Sequence, residues 1–387
     1  MLAHKTTALD NLDIQQEAAA ALDRAVIGPE EYDRIQAAYP YKLYMPNFFI
    51  RVGLFLLTAL ALSCGLGLLL LMAMGLGENA YGVILIFWGV VAYVGLELFI
   101  RFRGIYRAGV DDALLWAAGC LLLGGINVLA DHISPVVESG MVLVLAGWGV
   151  LRYADRLMAL VGYGAFVRVA FYVCFDGGGF GGSILPFVIM AVSVIAYLVF
   201  ARLAALERLR HYHPCLSLLR MGALVSFYLS GNYYVVQHVG ASMRGDGSSV
   251  PFGWLWWIFT FAVPLAYIVA GLRKKDVVLL WTGLGLVAAA IATVRYYYHI
   301  VPVEVAMVGG GLILIVGAYG VIRLLRVPRY GFTSDAPDEP HLLGNLQVEG
   351  LVIAESLRGV AAAAPAAGNA GRFGGGGSDG GGAGGGY

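Results

Sequence analysis

The stretch VGLFLLTALALSCGLGLLLLM, residues 52–72, decides the fold class of this chain. It has no charged side chain and, at 1.5 Å per helical residue, it is long enough to cross a hydrocarbon core of about 30 Å. Similar runs recur along the 387 residues, of which 59% are hydrophobic and only 13% charged. Soluble domains carry about 25% charged residues. The sequence therefore predicts an all-α, polytopic membrane helix bundle.

The apolar runs predict about ten transmembrane helices. They cover residues 50–74, 81–100, 113–130, 138–152, 155–175, 183–201, 215–238, 253–272, 277–297 and 303–323. Lys and Arg collect at the termini and near alternate connections, whereas only Arg244 and Arg295 fall on the opposite side and Arg168 lies within a helix. Because cytosolic loops carry an excess of Lys and Arg, this bias predicts that both termini are cytosolic.

Two stretches of four predicted helices, 46–156 and 214–326, share landmarks in the same order. Those of the first are Pro46, Arg51, Asp111, Trp116, His132, Ile133, Pro135, Val136, Glu138 and Arg152, and those of the second are Pro214, Arg220, Asp276, Trp281, His299, Ile300, Pro302, Val303, Glu304 and Arg323. Apolar helices resemble one another by chance, but polar and proline landmarks do so less readily. Both stretches start on the same side, which predicts parallel repeats in a 4+2+4 layout.

The repeat divides the chain into five parts. These are a cytosolic N-terminal helical segment (1–45), membrane repeat 1 (46–156), a two-helix connector (157–213, its first helix beginning near 155), membrane repeat 2 (214–326) and a cytosolic tail (327–387). In the N-terminal segment, Asn11 or Asp10 is expected to cap the first helix, and Pro29 to begin the second. The tail is Gly-rich and predicted to be disordered from residue 371, since glycine cannot bury enough surface to fold.

The stretch Glu30-Glu31-Tyr32-Asp33-Arg34-Ile35 lies just ahead of the first predicted membrane helix. It resembles the leader of a group of uncharacterised bacterial multi-pass inner-membrane proteins. The resemblance covers this leader and the general layout of the chain. It implies a bacterial inner (plasma) membrane location with both termini in the cytosol, and that group has no established activity to transfer.

The two turns that read His-Ile-x-Pro-Val are predicted to lie on the extracytoplasmic face. If the repeats bring them together, His132, Glu138, His299 and Glu304 would supply imidazole and carboxylate groups. Such groups suit a transition metal, with His132 and His299 as its ligands, or a proton-linked site. The structural alternative is that proline sets a tight turn while the polar side chains lie among hydrated headgroups.

Polar side chains inside the predicted helices give further candidates. Arg168 lies within the fifth helix, so it either reaches the outer headgroups or pairs with a carboxylate such as Glu138. Asn232 and His238 lie near the outer end of the seventh helix, where they line a solute pathway or form hydrogen bonds between helices. Glu97 is expected to pair with Arg101, four residues later on the same helix.

The sequence excludes several functional classes. No nucleophile elbow, metalloprotease or kinase-type motif occurs, so neither an enzyme nor a cofactor is predicted. The net charge is zero, which does not favour nucleic acid. We expect a transporter-like protein for a small polar or ionic solute, which enters an outer-facing vestibule. The alternative is a membrane scaffold or sensor that acts through protein partners of its cytosolic segments; in both cases the lipid bilayer is a partner.

Overall fold

The computed structural model describes Ala3 and residues 6–24, 26–130, 132–175, 181–244 and 252–297, with eight further positions between 308 and 323. Within these ranges nine helices are long and apolar enough to cross a membrane. The chain is therefore a multi-pass helical membrane protein. The tenth predicted helix, 303–323, lies mostly outside the described residues, and so does the tail.

The described helices follow the apolar runs closely. They are α1 (Thr6–Asp23), α2 (Pro29–Ala38), α3 (Phe48–Met72), α4 (Glu78–Arg103), α5 (Val110–Leu129), α6 (Pro135–Tyr153), α7 (Arg156–Phe175), α8 (Gly181–Ala204), a 3-10 helix (Glu207–Tyr212), α9 (His213–Gly231), α10 (Tyr233–Arg244), α11 (Gly253–Lys274) and α12 (Val277–Tyr297). The span predicted at 138–152, the shortest of the ten, is a helix of 19 residues because Ser134 and Pro135 start it earlier.

The first two helices lie outside the membrane spans. Pro29 begins α2 as predicted, and the Glu31 carboxylate accepts a hydrogen bond from the Gly28 N–H at 3.0 Å. The expected capping role of Asn11 or Asp10 in α1 is wrong, because α1 begins at Thr6. Asn11 instead donates to the Pro40 carbonyl at 2.8 Å, which ties α1 to the end of α2.

The membrane helices pack as antiparallel hairpins. α4 packs against α5, α6 against α7, α8 against α9 and α11 against α12, while α9 also contacts α7 and α12. Small residues permit close approach: a Cβ atom on Gly125 of α5 would lie 2.7 Å from the Gly82 carbonyl oxygen of α4. Helices in lipid associate through such close packing, since apolar burial alone gives little advantage over lipid tails.

The seventh predicted helix, 215–238, is not continuous. α9 ends at Gly231, Asn232 has extended backbone angles (φ −69°, ψ 130°), and α10 begins at Tyr233. This break corrects the single helix expected from hydropathy. An interrupted backbone is tolerated at membrane depth where other groups satisfy the freed N–H and C=O groups, and Asn232 is 3% exposed and hydrogen-bonded.

Candidate functional site

The guanidinium of Arg168 lies beside the carboxylate of Glu138. Arg168 Nη2 donates to Glu138 Oε2 at 2.8 Å, and Arg168 Cζ lies 5.5 Å from the centroid of the Tyr172 ring. Glu138 is held in the first turn of α6, which Ser134 caps. The two side chains are 44% and 35% exposed. The ion pair is thus present, and both of its side chains are partly exposed.

The other predicted outer-face residues have different surroundings. His132 is exposed in the connection between α5 and α6. The ring of His238 in α10 packs at centroid distances of 4.3 Å from Tyr234 and 5.4 Å from Tyr296. His299 and Glu304 lie outside the described residues. Among the described residues no group of three or more His, Cys, Asp or Glu could hold a metal ion, so a metal at His132 and His299 stays a prediction.

Asn232 forms the most fully hydrogen-bonded polar centre of these candidates. Its Nδ2 donates to Tyr228 Oη at 2.9 Å and to Thr293 Oγ1 at 3.0 Å. Its Oδ1 accepts from the backbone N–H groups of Tyr234 and Val235 at 3.0 and 3.4 Å, and so caps α10. Asn232 therefore joins α9, α10 and α12. Hydrogen bonding between helices was one of the two roles expected for this residue.

Arginine side chains gather at one end of the bundle, where α3, α5, α7, α9 and α12 begin and α4, α6, α8 and α11 end. We call it the arginine-rich end; its arginines include Arg51, Arg101, Arg103, Arg107, Arg152, Arg156, Arg202, Arg220 and Arg273. Three groups of contacts between charged side chains occur here, and none of them was predicted from the sequence.

The first group consists of two ion pairs that occupy corresponding places in the two predicted repeats. Arg51 of α3 pairs with Asp112 of α5, with Nη2 and Nε at 2.5 and 3.2 Å from Oδ2. Arg220 of α9 pairs with Asp276 at the start of α12. The landmark residue Asp111 is not the partner of Arg51, since its Oδ1 accepts from the Ala108 N–H at 2.9 Å.

The second group surrounds Glu97 near the end of α4. Arg152 binds it with two hydrogen bonds, Nε to Oε1 at 2.9 Å and Nη2 to Oε2 at 2.8 Å. Tyr153 donates to Oε1 at 2.7 Å. The expected pair with Arg101 is wrong, because the planar guanidinium of Arg152 matches both carboxylate oxygens at once.

The third group holds α1 against the bundle. His211 in the 3-10 helix places Nε2 3.1 Å from Asp10 Oδ1 and Nδ1 3.8 Å from Asp13 Oδ2, and Arg210 also pairs with Asp10. The His211 side chain is only 12% exposed. Burial raises the pKa of Asp13, while the charge of His211 opposes the shift. Nearby, the Ala3 N–H donates to the Arg152 carbonyl at 2.8 Å.

No family model, no curated protein and no solved structure matches this chain. The third group of contacts is therefore interpreted from its own geometry. The spacing of Asp10 and Asp13 places both carboxylates on one face of α1, and this much was readable in the sequence. Their partner lies about 200 residues further along the chain, and no local pattern indicates so distant a contact.

Proposed function

We propose that this protein is a bacterial inner-membrane scaffold or sensor that acts through its cytosolic N-terminal helices. The observation that supports the proposal is the contact of α1 with the 3-10 helix, in which Asp10 and Asp13 surround His211. The 3-10 helix belongs to the connector between the two predicted repeats. A change in how the repeats pack would act on this connector and thereby on α1.

The orientation follows from charge. The arginine-rich end faces the cytosol under the positive-inside rule, with both termini on that side. The parallel 4+2+4 layout is supported by the two ion pairs, Arg51 with Asp112 and Arg220 with Asp276, which join the first and third helices of each repeat. The resemblance of residues 30–35 to the leader of bacterial inner-membrane proteins agrees with this location.

The strength of the contact suits reversible release. Arg210, which pairs with Asp10, is 61% exposed, and Asp13, which faces His211, is 58% exposed, so solvent screens much of both attractions. Partly exposed ion pairs contribute about 0–1 kcal/mol each. Three apolar residues of α1 are also buried, Leu9, Leu12 and Ala18, while the buried Gln15 donates to the Tyr39 carbonyl at the end of α2. A partner protein that offers similar contacts to α1 would compete on nearly equal terms.

Rescue of a gene-deletion strain tests the proposal. A chain that lacks residues 1–40 should reach the membrane in normal amounts but fail to restore the wild-type phenotype. The variant His211→Ala should restore the wild-type phenotype only in part or without its normal regulation, because α1 is present but released from the 3-10 helix. Full rescue by the shortened chain would remove the proposal, since the membrane bundle alone would then be sufficient.

A transporter-like function is the second candidate, and the helix break at Asn232 favours it. Interrupted helices often surround the solute site of transporters. The lining for a small polar or ionic solute would include Arg168, Glu138, Asn232 and His238 near the outer face. The test is uptake of a small polar or ionic solute by the chain without residues 1–40. Uptake by this chain that is lost on Asn232→Ala or Arg168→Ala would establish the transporter-like function and exclude the first proposal.

A further inference from the structure

Arg156, the first residue of α7, has no hydrogen-bond or ion-pair partner among the described residues. Its Nε atom is buried and unpaired. The segment that carries Arg107 lies against the start of α3, since a Cβ atom on Gly109 would collide with the Arg51 carbonyl oxygen. Arg107 has a left-handed backbone (φ 49°), and its Cζ lies 5.2 Å from the ring of Tyr106. Met158 of α7 belongs to one buried cluster with residues of α5. The three arginines therefore lie in one region, where α3, α5 and α7 begin.

The carboxylates at this place are already engaged. Asp112 pairs with Arg51, and Asp111 accepts from the Ala108 N–H. Asp155 accepts from the Met158 N–H at 2.6 Å; burial raises its pKa, and the charge of Arg107 opposes the shift. In the described part of the chain no carboxylate lies within 4.0 Å of the Arg107 or Arg156 nitrogens, so neither arginine forms an ion pair there.

An apolar groove of about 290 Å³ begins one helical turn beyond the Arg51–Asp112 pair. It runs between α3 and α5, past Phe55 and Ala59 on one side and Ala113 and Ala117 on the other. From Phe55 to Leu66 it extends about 16 Å along α3, at 1.5 Å per residue. The groove thus starts one helical turn from the Arg51–Asp112 pair and continues along α3 into the membrane region.

At the place that corresponds to Ala59, the second predicted repeat has a large side chain. Ala59 follows Arg51 by eight residues, and Tyr228, which is fully buried, follows Arg220 by eight. α9 is covered by α8 and α7, whereas no described residue of α3 is buried. The small side chain of Ala59 and the exposed face of α3 therefore leave room for the groove at this place, where α9 carries the buried ring of Tyr228.

We propose that Arg107, Arg156 and the groove between α3 and α5 form a binding site for one anionic phospholipid. The two arginines, with Arg51 beside them, bind the phosphate of the headgroup, and the groove holds an acyl chain. Cationic pockets between membrane helices on the cytosolic side are suited to anionic headgroups. The proposal does not depend on the function proposed for α1.

Native mass spectrometry of the delipidated protein tests this site. The probes are phosphatidylglycerol, phosphatidylcholine and inorganic phosphate. The double variant R107Q/R156Q should bind phosphatidylglycerol at least about tenfold more weakly than the wild type, since each arginine near a headgroup contributes. The matched control is R101Q/R103Q, which removes two exposed arginines at the same end of the bundle and should bind like the wild type.

Two further variants separate a lipid from a soluble ion and from misfolding. R107K/R156K keeps both charges and should retain most of the binding. Ala117→Phe fills the groove and should weaken binding of phosphatidylglycerol while all arginines remain. The proposal is overturned if R101Q/R103Q weakens binding equally, if phosphatidylcholine binds as tightly, or if inorganic phosphate displaces the lipid and Ala117→Phe has no effect.

Discussion

At the scale of single residues, two polar side chains in the described part of the membrane region are fully engaged by partners on other helices. Asn232 uses both its donor and its acceptor atoms, and Glu97 receives donors from two residues of α6. An unpaired polar group is costly in a low-dielectric interior. The contacts of Asn232 therefore fix α9, α10 and α12 relative to one another, and those of Glu97 fix α4 relative to α6.

Replacement of Asn232 by alanine should lower the free energy of unfolding by about 2 kcal/mol. The variant leaves the N–H groups of Tyr234 and Val235 without their cap and removes a partner of Tyr228 and Thr293. Unfolding in mixed detergent micelles measures the change. Ser230→Ala is the control, because Ser230 donates only within its own helix, and its cost should stay below about 0.5 kcal/mol.

Arg152→Ala should destabilise the bundle more than the double variant that also replaces Glu97 by alanine. The single variant leaves a partly buried carboxylate without its cation, and the double variant removes both charges. We expect a difference of about 1 kcal/mol, since both side chains are about 30% exposed. Arg101→Ala should have no effect on unfolding, and a cost equal to that of Arg152→Ala would contradict the observed pairing.

At the scale of elements, hydropathy predicted the positions of the described membrane helices because length and apolar content directly reflect the bilayer. It did not predict the break at Asn232, since the residues on either side remain apolar enough for one helix. It also missed the partner of Glu97, because Arg101 satisfied a local rule while Arg152 lies 55 residues away. Contacts between elements depend on packing that the sequence does not display.

The contact of α1 with the 3-10 helix should respond differently to its two aspartates. Asp10→Asn removes the carboxylate that Arg210 and His211 share, and should increase hydrogen exchange of α1 amides several-fold. At neutral pH, hydrogen exchange of the α1 amides in Asp13→Asn should be as fast as in the wild type or slower. Burial raises the pKa of Asp13 in the docked state, so its ionised form opposes docking.

The sign of the pH dependence follows from the same shift. The cost of ionised Asp13 is present above its docked-state pKa and is lost as the pH falls below its ordinary value of 3.8. The difference between wild type and Asp13→Asn should therefore disappear in acid. Faster exchange of α1 in Asp13→Asn at neutral pH would contradict this assignment.

At the scale of the whole molecule, paired charged side chains organise one end of the bundle. The two ion pairs, Arg51 with Asp112 and Arg220 with Asp276, lie at the same end, yet their surroundings differ. The first pair is 39% and 23% exposed and borders the open groove, whereas the second is 15% and 20% exposed beneath α8. The two ion pairs thus lie at the same end of the bundle and differ in what covers them.

Removal of the second arginine should therefore cost more than removal of the first. We expect Arg220→Ala to destabilise the protein by about 2–3 kcal/mol and Arg51→Ala by about 1 kcal/mol, because solvent screens the more exposed pair. Unfolding in mixed micelles compares the two variants directly. Equal costs would indicate that the difference in covering has no energetic consequence.

The central claim is that α1 docks on the connector between the two predicted repeats. The most direct test is the distance between spin labels at Gln16 of α1 and Arg208 of the 3-10 helix, both exposed, measured in lipid nanodiscs with the four native cysteines replaced by serine. The account predicts a narrow distance distribution that broadens on His211→Ala. A broad distribution in the otherwise unmodified chain, equal to that of the His211→Ala variant, would contradict it.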